Sequence, residues 1–524
     1  MNKQVVWVVA VIAVLVLGVG SGLTAALLVG DGGDGSSDGG GERDRGAAPE
    51  TSSLGPAGAV PAGLEEFYGQ QLAWEGCGSN QCATLTVPLA YAEPGGETIG
   101  IALERTLARD PDNRVGSLVV NPGGPGAPGT TMAENADGYF TASLLERVDV
   151  VAFDPRGTGD SAPVDCLSDA DLDAFVAQDP TPDDAAERQE FAASEEEFFA
   201  GCVAGSDGVA AHVSTVEAAR DMDVLRSVLG EEQLSYLGFS YGTTLGSTYA
   251  ELFPGNVGRF VLDGATDPTL DFRDNALSQA AGFQTALDAY LDDCVAGEGC
   301  FLGASREEAQ GTISDLFASI EEQPLPTSGD RDLQIGNAFY GVAYPLYSRE
   351  SWFLLDQGLQ EALDGDGTTL LALSDLYGSR NASGGYDDNS LEAFYAINCL
   401  DDPTSASAEE IPAEYPAFDA ASPTFGRFFA WGLAGCLGIQ DEAAEPTPTI
   451  RAAGAAPIVV VGTTRDPATP YEEAVALAEQ LESGVLLTRD GDGHTGYNKG
   501  NSCIDDAVEG YLLDGDVPAD DTRC

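Results

Sequence analysis

The stretch that most constrains this chain is Leu234-Ser235-Tyr236-Leu237-Gly238-Phe239-Ser240-Tyr241-Gly242-Thr243-Thr244. It joins a short β-prone run to Gly-x-Ser-x-Gly and then to a run compatible with helix through Leu252. That is the sequence form of a nucleophile elbow, in which a serine sits on a sharp strand-to-helix turn with its Oγ lifted clear of a sheet. Gly238 and Gly242 suit such a turn, because a side chain at either position would meet the neighbouring backbone. The pattern also occurs at Gly35-Ser36-Ser37-Asp38-Gly39, inside a polar tract with no strand before it and no helix after. Context therefore selects Ser240 as the nucleophile.

The surrounding sequence supplies the layers such a turn requires. Val115–Val120 and Val148–Phe153 read as buried strands, running into Asn121-Pro122-Gly123-Gly124-Pro125-Gly126 and Asp154-Pro155-Arg156-Gly157-Thr158-Gly159-Asp160-Ser161. Ser214-Thr215-Val216-Glu217 has the form of a capping box opening a helix to about Leu229. Gly258–Leu262 is a further strand, ending at Asp263. Strands alternating with helices predict a mostly parallel sheet covered on both faces. From about Pro268 to Thr449 the strand signal fades, and Ala276–Tyr290, Arg306–Glu322 and Trp352–Leu363 read as helices. Pro457–Val461 and Gly484–Thr488 restore the strand signal, and a last helix is expected from about Cys503 to Leu513. The expected division is a core over 64–267 and 450–524, interrupted by a mainly helical cap over 268–449.

Composition narrows the setting. The chain carries 86 acidic and 23 basic residues, a net charge of −63. Such a surface repels nucleic acid and anionic lipid and attracts cations, a peptide's free amino group among them. It also suits solubility or a salty medium. Ten cysteines with only two histidines and no Cys-x-x-Cys speak for disulfides and against a metal site, and so for an extracytoplasmic location. Spacing suggests nearest-neighbour pairs: Cys77–Cys82, Cys166–Cys202, Cys294–Cys300, Cys399–Cys436 and Cys503–Cys524. Val5 to Val29 is almost uninterrupted apolar sequence after Lys3, long enough to span a bilayer. Residues 1–30 therefore read as an anchor or a signal peptide, the length favouring an uncleaved anchor, and either exports the remainder. Residues 31–63 are rich in Gly, Ser, Asp, Glu, Ala and Pro and read as a disordered linker reaching on the order of 30 Å.

A serine hydroxyl becomes nucleophilic when a base takes its proton, and that base needs a third group to fix its tautomer. Only His212 and His494 can serve. His494 follows the last strand in Asp492-Gly493-His494-Thr495-Gly496-Tyr497 and completes the order Ser…Asp…His. His212 precedes the helix cap and reads as structural. Asp466, in Gly462-Thr463-Thr464-Arg465-Asp466-Pro467-Ala468-Thr469-Pro470, follows a strand and is the expected acid, with Asp263 as the alternative. The loop Asn121–Gly126 lacks the Gly-Lys-Ser/Thr of a phosphate loop. It reads as half of an oxyanion hole, the N–H of Gly124 joining that of Tyr241. In the loop after the second strand, Arg156 reads as a structural bridge. No cofactor is called for.

These motifs together resemble the secreted serine tripeptidyl aminopeptidases of actinobacteria, which are α/β-hydrolases related to proline iminopeptidases. The resemblance covers residues 64–524 and rests on Asn121–Gly126, Asp154–Gly159, Gly238–Gly242, Thr464–Pro470, Gly493–Tyr497 and the cysteine-bounded segment Cys503–Cys524. It implies an α/β-hydrolase fold, Ser240, Asp466 and His494 as the triad, and an exopeptidase removing short peptides from free N-termini under a helical cap. A carboxylesterase or lipase would use the same triad. A non-catalytic surface-binding module is disfavoured by the intact serine, aspartate, histidine and glycine loops.

Overall fold

The computed structural model describes residues 60–297, 299–441 and 443–524. The export segment and nearly all of the linker lie outside the described residues. Among the described residues, no helix is long and apolar enough to cross a membrane.

Ten strands form one sheet: β1 (Glu75–Cys77), β2 (Asn80–Pro88), β3 (Thr98–Thr106), β4 (Gly116–Asn121), β5 (Val148–Phe153), β6 (Leu234–Phe239), β7 (Val257–Asp263), β8 (Ile458–Arg465), β9 (Gly484–Asp492) and β10 (Thr522–Arg523). Their order across the sheet is β1-β2-β3-β5-β4-β6-β7-β8-β9-β10. Strands β1 to β3 and the β3–β5 pair are antiparallel, and every pair from β5 to β10 is parallel. This is the α/β-hydrolase architecture. The parallel strands read as continuous apolar runs because helices cover both faces. On one face Val119, Val151, Tyr236, Phe260, Leu262 and Val460 pack with Met222, Leu225 and Leu245. On the other, Leu118, Val120, Val150, Leu237, Val261 and Val459 pack with Leu144, Ile504 and Val508. Strand β2 instead alternates, with Leu85 and Val87 buried and Thr84 and Thr86 exposed, as suits an antiparallel strand with one wet face.

The helix expected from Ser214 spans Thr215–Val228, and Ser214 accepts the N–H of Glu217. Only this half of the capping box forms. Arg156 and the N–H of Tyr91 draw the Glu217 carboxylate inward, at 3.1 and 3.2 Å, because a buried guanidinium binds it more strongly than an exposed helix end would. The last helix also departs from expectation: it covers Ser502–Glu509, and the chain then loosens into a π-helical turn over Gly510–Asp514.

Between β7 and β8 the chain is helical. Phe272–Ala296, Arg306–Glu322 and Trp352–Leu363 lie where the sequence predicted helix, joined by Ile335–Leu346, Thr368–Tyr377, Ser390–Asp401, Tyr415–Ala421 and Gly426–Gly432. This layer contacts the loops at the carboxyl ends of the strands. Asn389 Oδ1 accepts the N–H of Gly159 at 2.9 Å, Gln279 donates to Ala468 O at 3.2 Å, and His494 N–H donates to Tyr347 O at 2.8 Å. Two helices from before the elbow, Asp169–Ala177 and Ala185–Gly205, join the same layer. Leu172, Phe175, Phe198 and Phe199 share a buried cluster with Cys399 and Cys436. Disulfides join Cys77 to Cys82, Cys166 to Cys202, Cys294 to Cys300, Cys399 to Cys436 and Cys503 to Cys524.

Candidate active site

Strand β6 lies between β4 and β7, and its last residue leads straight into Ser240. Ser240 holds φ 55° and ψ −126°, with the helix Tyr241–Leu252 starting at the next residue. A non-glycine residue at positive φ is strained and persists only where the surroundings over-determine it. Here Ser240 N–H donates to Asp263 O at 2.9 Å, and Thr243 N–H and Oγ1 both donate to Ser240 O, at 2.7 and 2.6 Å. The crowding anticipated at Gly238 is present, since a Cβ there would lie 2.4 Å from Gly242 O.

The loop after β4 folds against this turn. A Cβ on Gly123 (φ +96°) would lie 2.5 Å from Phe239 O, 2.8 Å from Ser240 Cβ and 3.1 Å from Tyr241 N. Gly123 spends its own N–H on Asn121 Oδ1 at 2.9 Å. Among the described residues the N–H of Gly124 has no protein acceptor. The N–H of Tyr241 opens a helix and so lacks an intrahelical partner.

The histidine arrives from β9. His494 Nδ1 lies 2.8 and 2.9 Å from the two carboxylate oxygens of Asp466, which follows β8. The Asp466 side chain is fully buried and that of His494 keeps 13% exposure. Asp466 also accepts N–H groups from Ala468, Thr469 and Thr495, each at 3.0 Å. A carboxylate held by three backbone donors cannot swing away, so it fixes the tautomer and the angle of the imidazole. The histidine and the elbow meet at the end of β7. Asp263 O holds Ser240, and a Cβ on the next residue, Gly264, would lie 3.1 Å from His494 Cε1.

Asp263, the alternative acid, does something else. Its two oxygens accept the N–H groups of Gly496 and Tyr497, each at 2.8 Å, and so shape the loop that carries His494. Burial pushes its carboxyl up to about 6 against those hydrogen bonds. His212 belongs to a separate network. Its Nδ1 lies 3.6 Å from Glu217, and its carbonyl accepts from Arg156. Arg156 is buried, paired bidentately with Asp221 at 2.8 Å, and bonded to the carbonyls of Pro88 and Leu89. It bridges loops, as its motif predicted.

Two neighbours of the imidazole carried no sequence signal. Thr469 Oγ1 lies 3.4 Å from Nδ1, and the Tyr347 ring stands edge-on to the imidazole at 5.5 Å. Thr469 was within reach of inspection as the third residue after Asp466. Tyr347 ends a helix distant in sequence and could be found only by folding the chain. Among the described residues, the one cluster with metal-ligand spacing is Cys77, Cys82 and Glu104. Its cysteines are tied in a disulfide and offer no thiolate.

The parallel sheet, the strained serine and the held imidazole belong to one class, the serine hydrolases of the α/β-hydrolase fold. Residues 422–524 match the family model described as TAP-like protein. Serine protease Hip1 of Mycobacterium tuberculosis is 38% identical over 483 residues, covering 88% of this chain and 92% of that protein. Carboxylesterase B of the same organism is 39% identical over 456 residues, covering 85% and 86%. Tripeptidyl aminopeptidase of Streptomyces coelicolor is 31% identical over 503 residues, covering 90% and 88%. The chain belongs to the tripeptidyl aminopeptidase family of α/β-hydrolases.

Proposed function

We propose that this protein is an exported serine exopeptidase that releases short peptides, tripeptides by the family's pattern, from free N-termini. The observation that carries the reading is the pairing of His494 Nδ1 with both oxygens of buried Asp466, beside a serine held at positive φ. In this reading Ser240 Oγ attacks the scissile carbonyl while His494 Nε2 takes its proton and later returns it to the leaving amine. The N–H groups of Gly124 and Tyr241 receive the negative charge that develops on the carbonyl oxygen. Water then hydrolyses the acyl-enzyme by the same route in reverse. Five disulfides among the described residues support an oxidising, extracytoplasmic setting, with the membrane engaged only through residues 1–30. The helical layer over 268–449 is the proposed cap.

A carboxylesterase reading is favoured by one observation, the 39% identity to a relative named Carboxylesterase B. Release of fluorophore from a tripeptide amide with a free N-terminus separates the two, run beside its N-acetylated twin, a short acyl ester and Ser240→Ala. Cleavage of the free peptide, lost in the variant, is expected. Turnover of the ester alone would move the assignment to an esterase.

A further inference from the structure

The helix Ser390–Asp401 runs between the two halves of the proposed oxyanion hole. Its first turn closes on the loop after β4: a Cβ on Gly126 would lie 2.6 Å from Ser390 O, 2.8 Å from Ala393 Cβ and 2.9 Å from Phe394 N. Along its length, Ala393, Ala396, Ile397 and Leu400 share the core cluster that holds Tyr241. Its last residue reaches the start of the helix Thr215–Val228. Asp401 Oδ1 accepts the N–H of Thr215 at 2.9 Å, and Oδ2 accepts the Thr215 hydroxyl. The carboxylate thereby pairs one of the free N–H groups that open that helix and sits at the positive end of its dipole.

The hydrogen bonds continue from Asp401 to the residue after the nucleophile. Thr215 Oγ1 lies 2.6 Å from the Tyr241 hydroxyl, and among the described residues it is that hydroxyl's one hydrogen-bond partner. A threonine hydroxyl has a single proton to give. It goes to Asp401, so toward Tyr241 the same oxygen accepts and the phenol donates. The charges fix this direction. Burial lifts the Asp401 carboxyl only to about 6, which leaves it ionised at neutral pH. Burial, and then the Asp401 charge, hold the Tyr241 phenol well above its ordinary pKa and so protonated. A relay that ends on a charge is stronger than one between neutral groups. With the ring tied at its hydroxyl and Ser240 strained at the other end, the backbone N–H of Tyr241 is left one direction.

We infer that Asp401 is a positioning residue for the hydrolytic reaction: acting through the Thr215 hydroxyl and the Tyr241 phenol, it aims the Tyr241 N–H at the carbonyl oxygen that becomes negative. It does not touch the substrate. The inference rests on the reading of that N–H as an oxyanion donor, and it holds for a peptide and an ester alike. The helical layer then does more than cover the sheet, since the end of one of its helices sets donor geometry.

The test is the rate at which a fluorophosphonate labels Ser240. Serine Oγ bonds to phosphorus, fluoride leaves, the serine proton passes to His494, and the phosphoryl oxygen takes the oxyanion's place, whatever the natural substrate. Asp401→Ala, Thr215→Val and Tyr241→Phe should each lower the limiting labelling rate about 10- to 100-fold, part of the loss expected for a missing donor, with the half-saturating concentration within about twofold. Thr215→Ser keeps the hydroxyl and should stay within about threefold of the unsubstituted protein. Should Asp401→Ala fail to fold, the Thr215→Val and Thr215→Ser pair decides the question. Added to Tyr241→Phe, Asp401→Ala should cost less than about threefold more, because both act through one chain of bonds. A residue that merely braced the helix would cost the same factor in either background. A labelling rate unmoved by Asp401→Ala or Thr215→Val, or a loss undiminished in the Tyr241→Phe protein, overturns the inference. Absence of labelling in the unsubstituted protein would instead overturn the assignment of Ser240. Labelling with these effects but no cleavage of the tripeptide amide would overturn only the exopeptidase reading.

Discussion

Asp466→Asn tests the reading of the site most directly, and its outcome can be worked from the hydrogen bonds. Oδ1 of Asp466 accepts two N–H groups, from Ala468 and Thr469, whereas Oδ2 accepts one, from Thr495. An asparagine would place its oxygen on the two-donor side. Its NH2 would then occupy the place of Oδ2, 2.9 Å from His494 Nδ1, and donate to that nitrogen. The ring proton would move to Nε2, the nitrogen that in the proposed mechanism must be bare to accept the proton of Ser240. Loss of the productive tautomer costs about 10⁴ in kcat, or about 5.5 kcal/mol at roughly 1.4 kcal/mol per tenfold. The Thr495 N–H also loses its acceptor, a further stability loss of about 1–3 kcal/mol. Initial rates on the free tripeptide amide, with active-site titration and urea unfolding, separate the two effects. Asp466→Asn protein that retains kcat within tenfold of wild type would refute the reasoning. So would an Asp263→Asn variant as damaged in kcat as Asp466→Asn while equally well folded.

Other substitutions follow from the same geometry. Gly123→Ala puts a methyl 3.1 Å from Tyr241 N, so kcat should fall by about 10²–10³; unchanged steady-state kinetics would remove the loop after β4 from the site. Arg156→Met strands Asp221 and Glu217 in the interior. It should cost about 3–5 kcal/mol, read as a lower urea midpoint, and a midpoint shift worth under 1 kcal/mol would contradict the bridging role. Glu473 accepts from Ser278 Oγ at 2.5 Å and Asp267 N at 3.2 Å, tying Tyr471–Gln480 to Phe272–Ala296. Burial lifts its carboxyl to about 7. A folded pKa above the unfolded value of about 4.3 means that the contribution is full below that pH and is lost as pH rises through 7. That amounts to about 4 kcal/mol. Asp263 and Asp401, each raised by burial to about 6, act with the same sign. Melting temperature at fixed ionic strength should therefore fall between pH 5 and 8, and Glu473→Gln should flatten the slope; an unaltered slope would remove Glu473 as its source.

The sheet was legible where burial writes itself as an apolar run. Val148–Phe153 and Ile458–Val461 announce strands covered on both faces. The antiparallel strands β1 and β2 did not stand out, because Cys77, Cys82 and the surrounding polar residues blur an alternation that within them only Thr84–Val87 display. Helices with clear caps and periodicity, such as Arg306–Glu322 behind Ser305, were readable. Ile335–Leu346 was not, since it is apolar nearly all round and carries Pro345 within it. At the site, Ser240, Asp466 and His494 could be ordered from motif position. The shaping role of Asp263 could not, because it consists of backbone hydrogen bonds to residues more than 230 positions away.

The helical layer is sewn to the sheet at more than the two ends of one insertion. Its buried cluster takes Phe175, Phe198 and Phe199 from a segment that precedes the elbow, locked by Cys166–Cys202, and packs them with Cys399 and Cys436 from the later one. It is therefore not a transplantable module. Exchanging residues 268–449 with those of a relative would expose an aromatic face on Ala185–Gly205. A chimera that exchanges this layer has to move both segments as a pair.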